Sequence, residues 1–424
     1  MVEHSNIPQG KFKRGGTVGL AAVKVGLKKT GHARKRPFLS KEKRELADRY
    51  TDEQVAKIIF DALCVLRGTA LKAAQLISME VEFIPEVYRQ ELIKTCSQVP
   101  AMNRALIRKI VRTQLGPPEK LFRSFSAQPF AAASLGQVHA ATSHQGDRLA
   151  VKIQYPDMAA GVKSDIRMLK GLLTPTKYHR IFKESLDEIS RKVSEELDYR
   201  KEAENTTRFR ALLDPGRFVV PAVVERFSTE SVLTTTRVEG LHLDEWLDTD
   251  PPKSEKDHFG QLLVDLFNES IYERGLIHSD PNPGNFLFRE DGKLGVIDFG
   301  CVTKLSPEFS AALLRLTARG RIFDPETIIE HHKILGVHYR SSSSRESLHR
   351  FLQNWFGWLE ELYKEERFDF SKCDAYFQRG TALAKDLYVH VDHYEGPFAY
   401  FGRTQHGLMR MLQQLGARVR MAPS

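Results

Sequence analysis

His278-Ser-Asp-Pro-Asn-Pro-Gly-Asn285, followed by Val296-Ile-Asp-Phe-Gly300, is the stretch that decides how this chain is read. Phosphoryl transfer asks for a carboxylate near the attacking oxygen, a second metal-binding group a few residues on, and an acid that holds Mg²⁺ against the phosphates. Asp280 and Asn285 stand with four residues between them, and an Asp-Phe-Gly triplet follows after a short linker. Each motif alone recurs by chance in turns and at strand ends. Together and in this order they assign Asp280 to the attacking nucleophile, and Asn285 and Asp298 to the metal.

Such a site also needs a lysine upstream, on a strand, to meet the phosphates. The pattern over Gln137–Ala141 and Leu149–Gln154, with a polar turn around Ser143–Asp147, predicts a β-hairpin. Alternation in the second strand puts Leu149, Val151 and Ile153 on one face and Ala150, Lys152 and Gln154 on the other, so Lys152 projects away from the apolar side. Lysine strand, loop and Asp-Phe-Gly turn, in that order, predict an α+β, two-lobed, protein-kinase-like fold with a Mg-nucleotide site at the interlobe cleft. The lysine's acidic partner belongs on a helix, and Glu195–Glu204 offers several. Asp198 and Glu202 lie one turn apart, while Glu196 points about 200° around an ideal helix from Asp198; spacing alone does not choose among them.

Working outward, Thr51 with Gln54 predicts a capping box, ahead of Val55, Ile58, Ile59, Ala62, Leu63 and Leu66 at helical spacing. Helical patterns run to about Leu115, where Gly116, Pro117 and Pro118 break the chain. The expected organisation is a flexible basic arm over residues 1–36, a helical extension over 37–118, an N-terminal lobe over 119–240 and a C-terminal lobe over 241–424. After Gly300 the chain runs through Cys301–Ser306 into an apolar-periodic helix, with no Ala-Pro-Glu motif, so no docking platform for a protein substrate is expected.

The 424 residues, 41% hydrophobic and 28% charged, suffice for two packed lobes. No stretch approaches the roughly 20 apolar residues of a membrane span. Cys64, Cys96, Cys301 and Cys373 match no zinc spacing and the N-terminus lacks a secretory core, so a cytoplasmic protein, peripheral to the membrane at most, is expected. The net charge of +9 is concentrated: residues 1–36 hold nine Lys and Arg against Glu3, a net of +8. Such an arm suits an anionic membrane surface, a nucleic-acid backbone without sequence preference, or a solvated tail.

With these residues in hand, the sequence from about residue 50 onward resembles the UbiB/ADCK family of atypical kinases, also called AarF-like, and within it the branch supporting ubiquinone biosynthesis. Pro129-Phe-Ala-Ala-Ala-Ser-Leu-Gly-Gln-Val-His139 is similar to the family's alanine-rich loop, which replaces a glycine-rich one; Glu196-x-Asp198, Glu202-Ala203 and Asp280-Pro-x-Pro-Gly-Asn285 follow the family's order. Lys72-Ala-Ala-Gln75 resembles its Lys-x-Gly-Gln signature, with Ala74 in place of the glycine.

The resemblance implies ATP with Mg²⁺ or Mn²⁺ as cofactors, Ala131, Ala132, Ala133, Ser134 and Lys152 at the nucleotide, and Glu202 paired with Lys152. It further implies a regulatory set in which Lys72 and Gln75 fold over the cleft, with Glu196 and Asp198 against Lys72. The function implied is an ATPase supporting isoprenoid-quinone or membrane-lipid metabolism, with lipid or quinone intermediates and quinone-biosynthesis enzymes as partners beside ATP and ADP. Protein kinase activity in trans is not expected. The alternatives are a nucleotide-binding scaffold for lipid-biosynthetic enzymes and a small-molecule phosphotransferase; a complete set of metal ligands favours turnover.

Overall fold

Alternation along Leu149–Gln154 yields the strand that the sequence predicts, and the fold of the first of two units grows around it. In a computed structural model the described residues are 11–36, 40, 44, 47, 50, 51, 54, 58, 102–133, 135–156, 167, 197–317, 324–394 and 396–423. Lys72, Gln75, Ser134 and Glu196 therefore lie outside them. The chain divides into a first unit, residues 1–201 with 223–236, and a second, residues 202–222 with 237–424.

The first unit opens with helix α1 (Lys11–Lys35), followed after an interval by α2 (Arg104–Gln114). Its sheet has the order β1-β2-β3-β5, built from β1 (Ser124–Ala133), β2 (Gly136–Thr142), β3 (Arg148–Gln154) and β5 (Val232–Thr236), while β4 (Phe218–Val219) belongs to the second unit. The β2–β3 hairpin closes through Ser143, whose backbone N–H donates to the Asp147 carbonyl at 2.9 Å. Leu149, Val151 and Ile153 are buried with Val232, and Ile107 and Val111 of α2 pack into the same cluster. Lys152 lies half-buried, on the side opposite to this core. Pro129 interrupts the β1–β2 register twice, which is tolerated because β1 is an edge strand and a proline there removes no interior ladder bond.

Three local expectations are corrected. Residues 1–36 were expected as a flexible arm, yet the structure carries a continuous helix over Lys11–Lys35, burying Ala21 and Val25; the propensity cost of its glycines is a weak local term that packing overrides. Thr51 does not start a helix: residues 44, 47 and 50 are already helical, and its hydroxyl donates back to the Ala47 carbonyl at 2.7 Å. Asp198 is not inside a helix either. Helix α3 (Tyr199–Leu212) begins one residue later, and the Asp198 carboxylate accepts the Arg200 backbone N–H at 3.1 Å, as a cap does. Asp198 and Glu202 therefore do not share a helical face.

The second unit is centred on α4 (Lys253–Asn268), which runs into a π-turn at Glu269–Glu273. Around it lie β6 (Leu276–His278), β7 (Phe286–Phe288), β8 (Leu294–Val296) and β9 (Val302–Lys304), then α5 (Pro307–Thr317) and α6 (Pro325–Ile334). After these come β10 (Val337–Tyr339), α7 (Arg345–Lys364), α8 (Asp374–His390), β12 (Val391–Tyr394) and α9 (Pro397–Leu415); a short strand β11 (Phe368–Asp369) pairs with β13 (Arg418–Val419). The main core joins α4 and α9 to Phe209, Phe218 and Val220 from residues 202–222, and to Leu294 and Val296 of β8. Arg217 ties the early segment down, with ion pairs to Asp265 at 3.2 Å and Glu269 at 2.6 Å.

Candidate nucleotide and metal site

Two antiparallel strand pairings in the second unit position its candidate residues. Strand β6 runs antiparallel to β9, pairing His278 with Val302, and β7 runs antiparallel to β8, pairing Phe286 with Val296. The loop 279–285 joins β6 to β7 and the turn Ile297–Cys301 joins β8 to β9, so both emerge on one side of the paired strands. Backbone bonds lock them together: Ser279 N–H donates to the Cys301 carbonyl at 2.8 Å, and Ile297 N–H to the Asn285 carbonyl at 3.0 Å. The buried ring of His278 bonds through Nε2 to the Asp298 carbonyl at 2.6 Å and packs against Phe209, Phe286 and Phe299.

Within the loop, Asn282 accepts the Gly284 N–H at 3.0 Å and opens a 3₁₀ turn over Pro283–Asn285. Asn285 then donates through Nδ2 to the Asp280 carbonyl at 3.0 Å and to its carboxylate Oδ2 at 3.1 Å. With the amide nitrogen committed to Asp280, the amide oxygen is the atom left to face a cation. Asp298 accepts the Gly300 N–H at 2.9 Å through Oδ1, which fixes its carboxylate. An amide oxygen and a carboxylate are hard donors that fit Mg²⁺ or Mn²⁺, which take few protein ligands and fill the remainder with water and phosphate. A three-residue His/Cys/Asp/Glu cluster, the mark of an all-protein metal cage, is absent among the described residues.

Glu202 is buried on α3, and its carboxylate reaches the Asp298–Gly300 turn: a Cβ built on Gly300 would lie 3.2 Å from Asp298 Oδ1 and 3.5 Å from Glu202 Oε2. Asn205, one turn further along, donates to the Phe299 carbonyl at 3.1 Å. The structure thus brings Asp280, Asn285, Asp298 and Glu202 into one neighbourhood of the second unit.

In the first unit, Lys152 holds its ammonium over the ring of Tyr199, 5.2 Å from the centroid, a cation–π contact. Ala131 is half-buried near the end of β1 and pairs with Val138, and Ala132 and Ala133 pair with Gln137 and Gly136. The alanines are therefore strand to the last residue before the turn. Gly136 has no room for a side chain: a Cβ there would overlap the Ile153 carbonyl oxygen and sit 2.8 Å from the Tyr199 hydroxyl. Asp198 immediately precedes Tyr199, at the start of α3. Sequence reasoning missed Tyr199 and Arg403. The first adjoins the acidic motif without belonging to it, and the second, 3.5 Å from Asp280 Oδ1, has no motif around it.

Residues 94–332 match the ABC1 atypical kinase-like domain. The chain belongs to that family. Among its relatives, the mitochondrial atypical kinase COQ8B of Danio rerio is 30% identical over 344 residues, 78% of this chain and 54% of the relative. AarF domain-containing protein kinase 1 of Mus musculus is 31% identical over 266 residues, 60% of this chain and 50% of the relative. The ABC1 chain thus spans about half the length of these curated relatives. Among solved structures, the Rv3197–erythromycin complex from Mycobacterium tuberculosis is similar at 26% identity and a TM-score of 0.60, covering 89% of this chain and 96% of that one. The kinase-like α+β fold expected from the sequence is the one observed. No described helix is long and apolar enough to cross a membrane.

Proposed function

We propose that this ABC1 chain binds Mg²⁺-ATP, or Mn²⁺-ATP, and hydrolyses it in support of isoprenoid-quinone or membrane-lipid metabolism. The observation that carries the nucleotide reading is the locked pair of loops, in which the Asn285 amide is turned by Asp280 and the Asp298 carboxylate is fixed by Gly300. Asn285 and Asp298 hold the metal, which supplies charge neutralisation to the phosphates when bound. Asp280 orients the attacking water or hydroxyl. Lys152 meets the phosphates, Glu202 orients Lys152, and Ala131, Ala132, Ala133 and Ser134 line the nucleotide. Lys72 and Gln75, with Glu196 and Asp198, restrain the site. Residues 301–306 lead directly into α5 without a long activation segment, which favours water or a small molecule over a protein as acceptor. The quinone assignment rests on similarity to relatives named atypical kinase COQ8B.

The membrane part of the reading rests on α1. Leu20, Val23 and Leu27 are exposed at i, i+3 and i+7, beside exposed Lys24 and Lys28, while Ala21 and Val25 are buried. An apolar stripe flanked by cations is the chemistry of an anionic lipid surface.

Thermal-shift titration tests the nucleotide reading. A ligand at a hundred times its Kd adds about 2.7 kcal/mol to stability, and Asp298→Asn is expected to lose most of that for Mg²⁺-ATP. Equal stabilisation of parent and variant removes Asp298 from the metal, and nucleotide binding without phosphate release, with or without liposomes, replaces the ATPase by a scaffold.

A further inference from the structure

Asp280 is held from two sides, and only one of the holders lies in its own loop. Asn285 Nδ2 donates to Oδ2 at 3.1 Å, and Nη2 of Arg403, 123 residues away in sequence, approaches Oδ1 at 3.5 Å. Arg403 projects from α9 with 13% of its side chain exposed, and its Nε and Nη1 are buried without a hydrogen-bond partner among the described residues. A buried guanidinium with two unpartnered nitrogens is costly, and the Asp280 carboxylate 3.5 Å away offsets part of that cost, so that removing either partner leaves the other charge uncompensated. The placement of Arg403 beside Asp280 therefore points to the site. The loop Asp280-Pro-Asn-Pro-Gly-Asn285 holds no Lys or Arg, so within it nothing else offers Oδ1 a cation.

The contact is built rather than incidental. Gly407, at i+4 from Arg403 and so on the same face of α9, lies against Pro281: a Cβ there would stand 2.5 Å from Pro281 Cγ. Between them Thr404 reaches the His278 carbonyl at 3.4 Å. One face of α9 thus seats the loop on both sides of Asp280.

We propose that Arg403 is a positioning residue for Asp280, fixing the carboxylate opposite Asn285 so that it meets the nucleophile in one orientation. This rests on the assignment of Asp280 made above. A double-mutant cycle on the full chain tests it, with Arg403→Met, Arg403→Lys, Asp280→Asn and the Met/Asn pair. In nucleotide-free melts the losses of Arg403→Met and Asp280→Asn are expected to be non-additive, because each breaks the same contact. In turnover, Arg403→Met is expected to lower kcat by about tenfold or more, Arg403→Lys to restore part of it, and Arg403→Met to add no loss in Asp280→Asn. Affinity for Mg²⁺-ATP and Mg²⁺-ADP should stay within about twofold, since a positioning residue acts on kcat and not on ground-state binding.

Additive melts, losses that multiply in kcat, or a loss confined to ATP affinity would each overturn the proposal, the last by making Arg403 a phosphate ligand. Should Arg403→Met not fold, Arg403→Lys combined with Asp280→Asn carries the same cycle. Failure of the parent to take up Mg²⁺-nucleotide sinks the nucleotide reading alone, because the nucleotide-free melts report the coupling by themselves.

Discussion

Helix α9 holds an internal control for the seating of the Asp280 loop. It contains interior glycines in two different surroundings: a Cβ on Gly402 would meet nothing within 4 Å, whereas one on Gly407 would overlap Pro281 Cβ and stand 2.5 Å from its Cγ and 3.3 Å from its carbonyl oxygen. Alanine is worth about 0.8–1.0 kcal/mol over glycine in a helix interior. Gly402→Ala should collect that gain and melt about 2–4 °C higher, the usual conversion for a unit of some two hundred residues. At Gly407 the same gain is opposed by overpacking, which costs about 1–3 kcal/mol when the neighbour cannot yield. The neighbour here is a proline ring followed by Asn282, whose side chain already closes the turn. Gly407→Ala should therefore be less stable than Gly402→Ala by about 1–3 kcal/mol and melt at a lower temperature. It should also lose turnover, because the displaced residue adjoins Asp280, while Gly402→Ala keeps the parent rate. Calorimetry on both variants with a phosphate-release assay reads both quantities. Equal melting temperatures for the two alanine variants would show that α9 does not press on the loop, and the packing argument would fail with them.

The burial of His332 predicts a pH dependence of stability. Its ring is enclosed by Tyr339, Phe356 and Phe398, and burial, with a smaller contribution from His331, pushes its pKa down to about 3. The unfolded chain takes a proton near 6.5 and the folded chain does not, so this contribution is complete above 6.5 and is lost as pH falls, by about 1.4 kcal/mol per unit until the folded value is reached. His332→Gln should flatten the change in urea-unfolding free energy between pH 7.5 and pH 5, and an unchanged slope removes His332 as its source. For the arm, a chain beginning at Pro37 should pellet less with anionic liposomes than the full chain. That binding should weaken with salt, since each cation near the surface contributes about 1 kcal/mol through a screened interaction. Equal pelleting clears α1 of the contact, and equal binding to RNA reduces it to polyanion affinity.

What was legible in the sequence was what local chemistry dictates. The β2–β3 hairpin follows from the alternation of Leu149, Val151 and Ile153 and from a polar turn, both contained in a few residues. The loop and the Asp-Phe-Gly turn were legible because phosphoryl transfer restricts residue type and spacing at once. Asp198 was misread because capping and interior positions differ by one residue, and the acidic run around it carries no signal that separates them. The helix at Lys11–Lys35 escaped because glycine propensities argue against it and only burial of Ala21 and Val25 argues for it. Arg403 could not be found at all from spacing: its meaning comes from a contact across 123 residues, with only a long amphipathic helix around it.

The division of the chain has a consequence for how this protein could be taken apart or recombined. Residues 202–222 pack with the second unit, yet residues 223–236 return to complete the sheet of the first. Strand β4 pairs in parallel with β8, matching Phe218 to Leu294 and Val219 to Gly295. No single peptide bond separates the two cores. A ribosome that has released Thr236 has delivered every strand of the first sheet, but it has also delivered Phe209, Phe218 and Val220 ahead of the β7–β8 hairpin that will cover them. Chimeras of diverged relatives joined at one crossover inherit the same difficulty: wherever the junction falls between residues 202 and 236, both cores are assembled from two parents. Exchange of either unit as a cassette requires that the 202–222 segment travel with residues 237 onward.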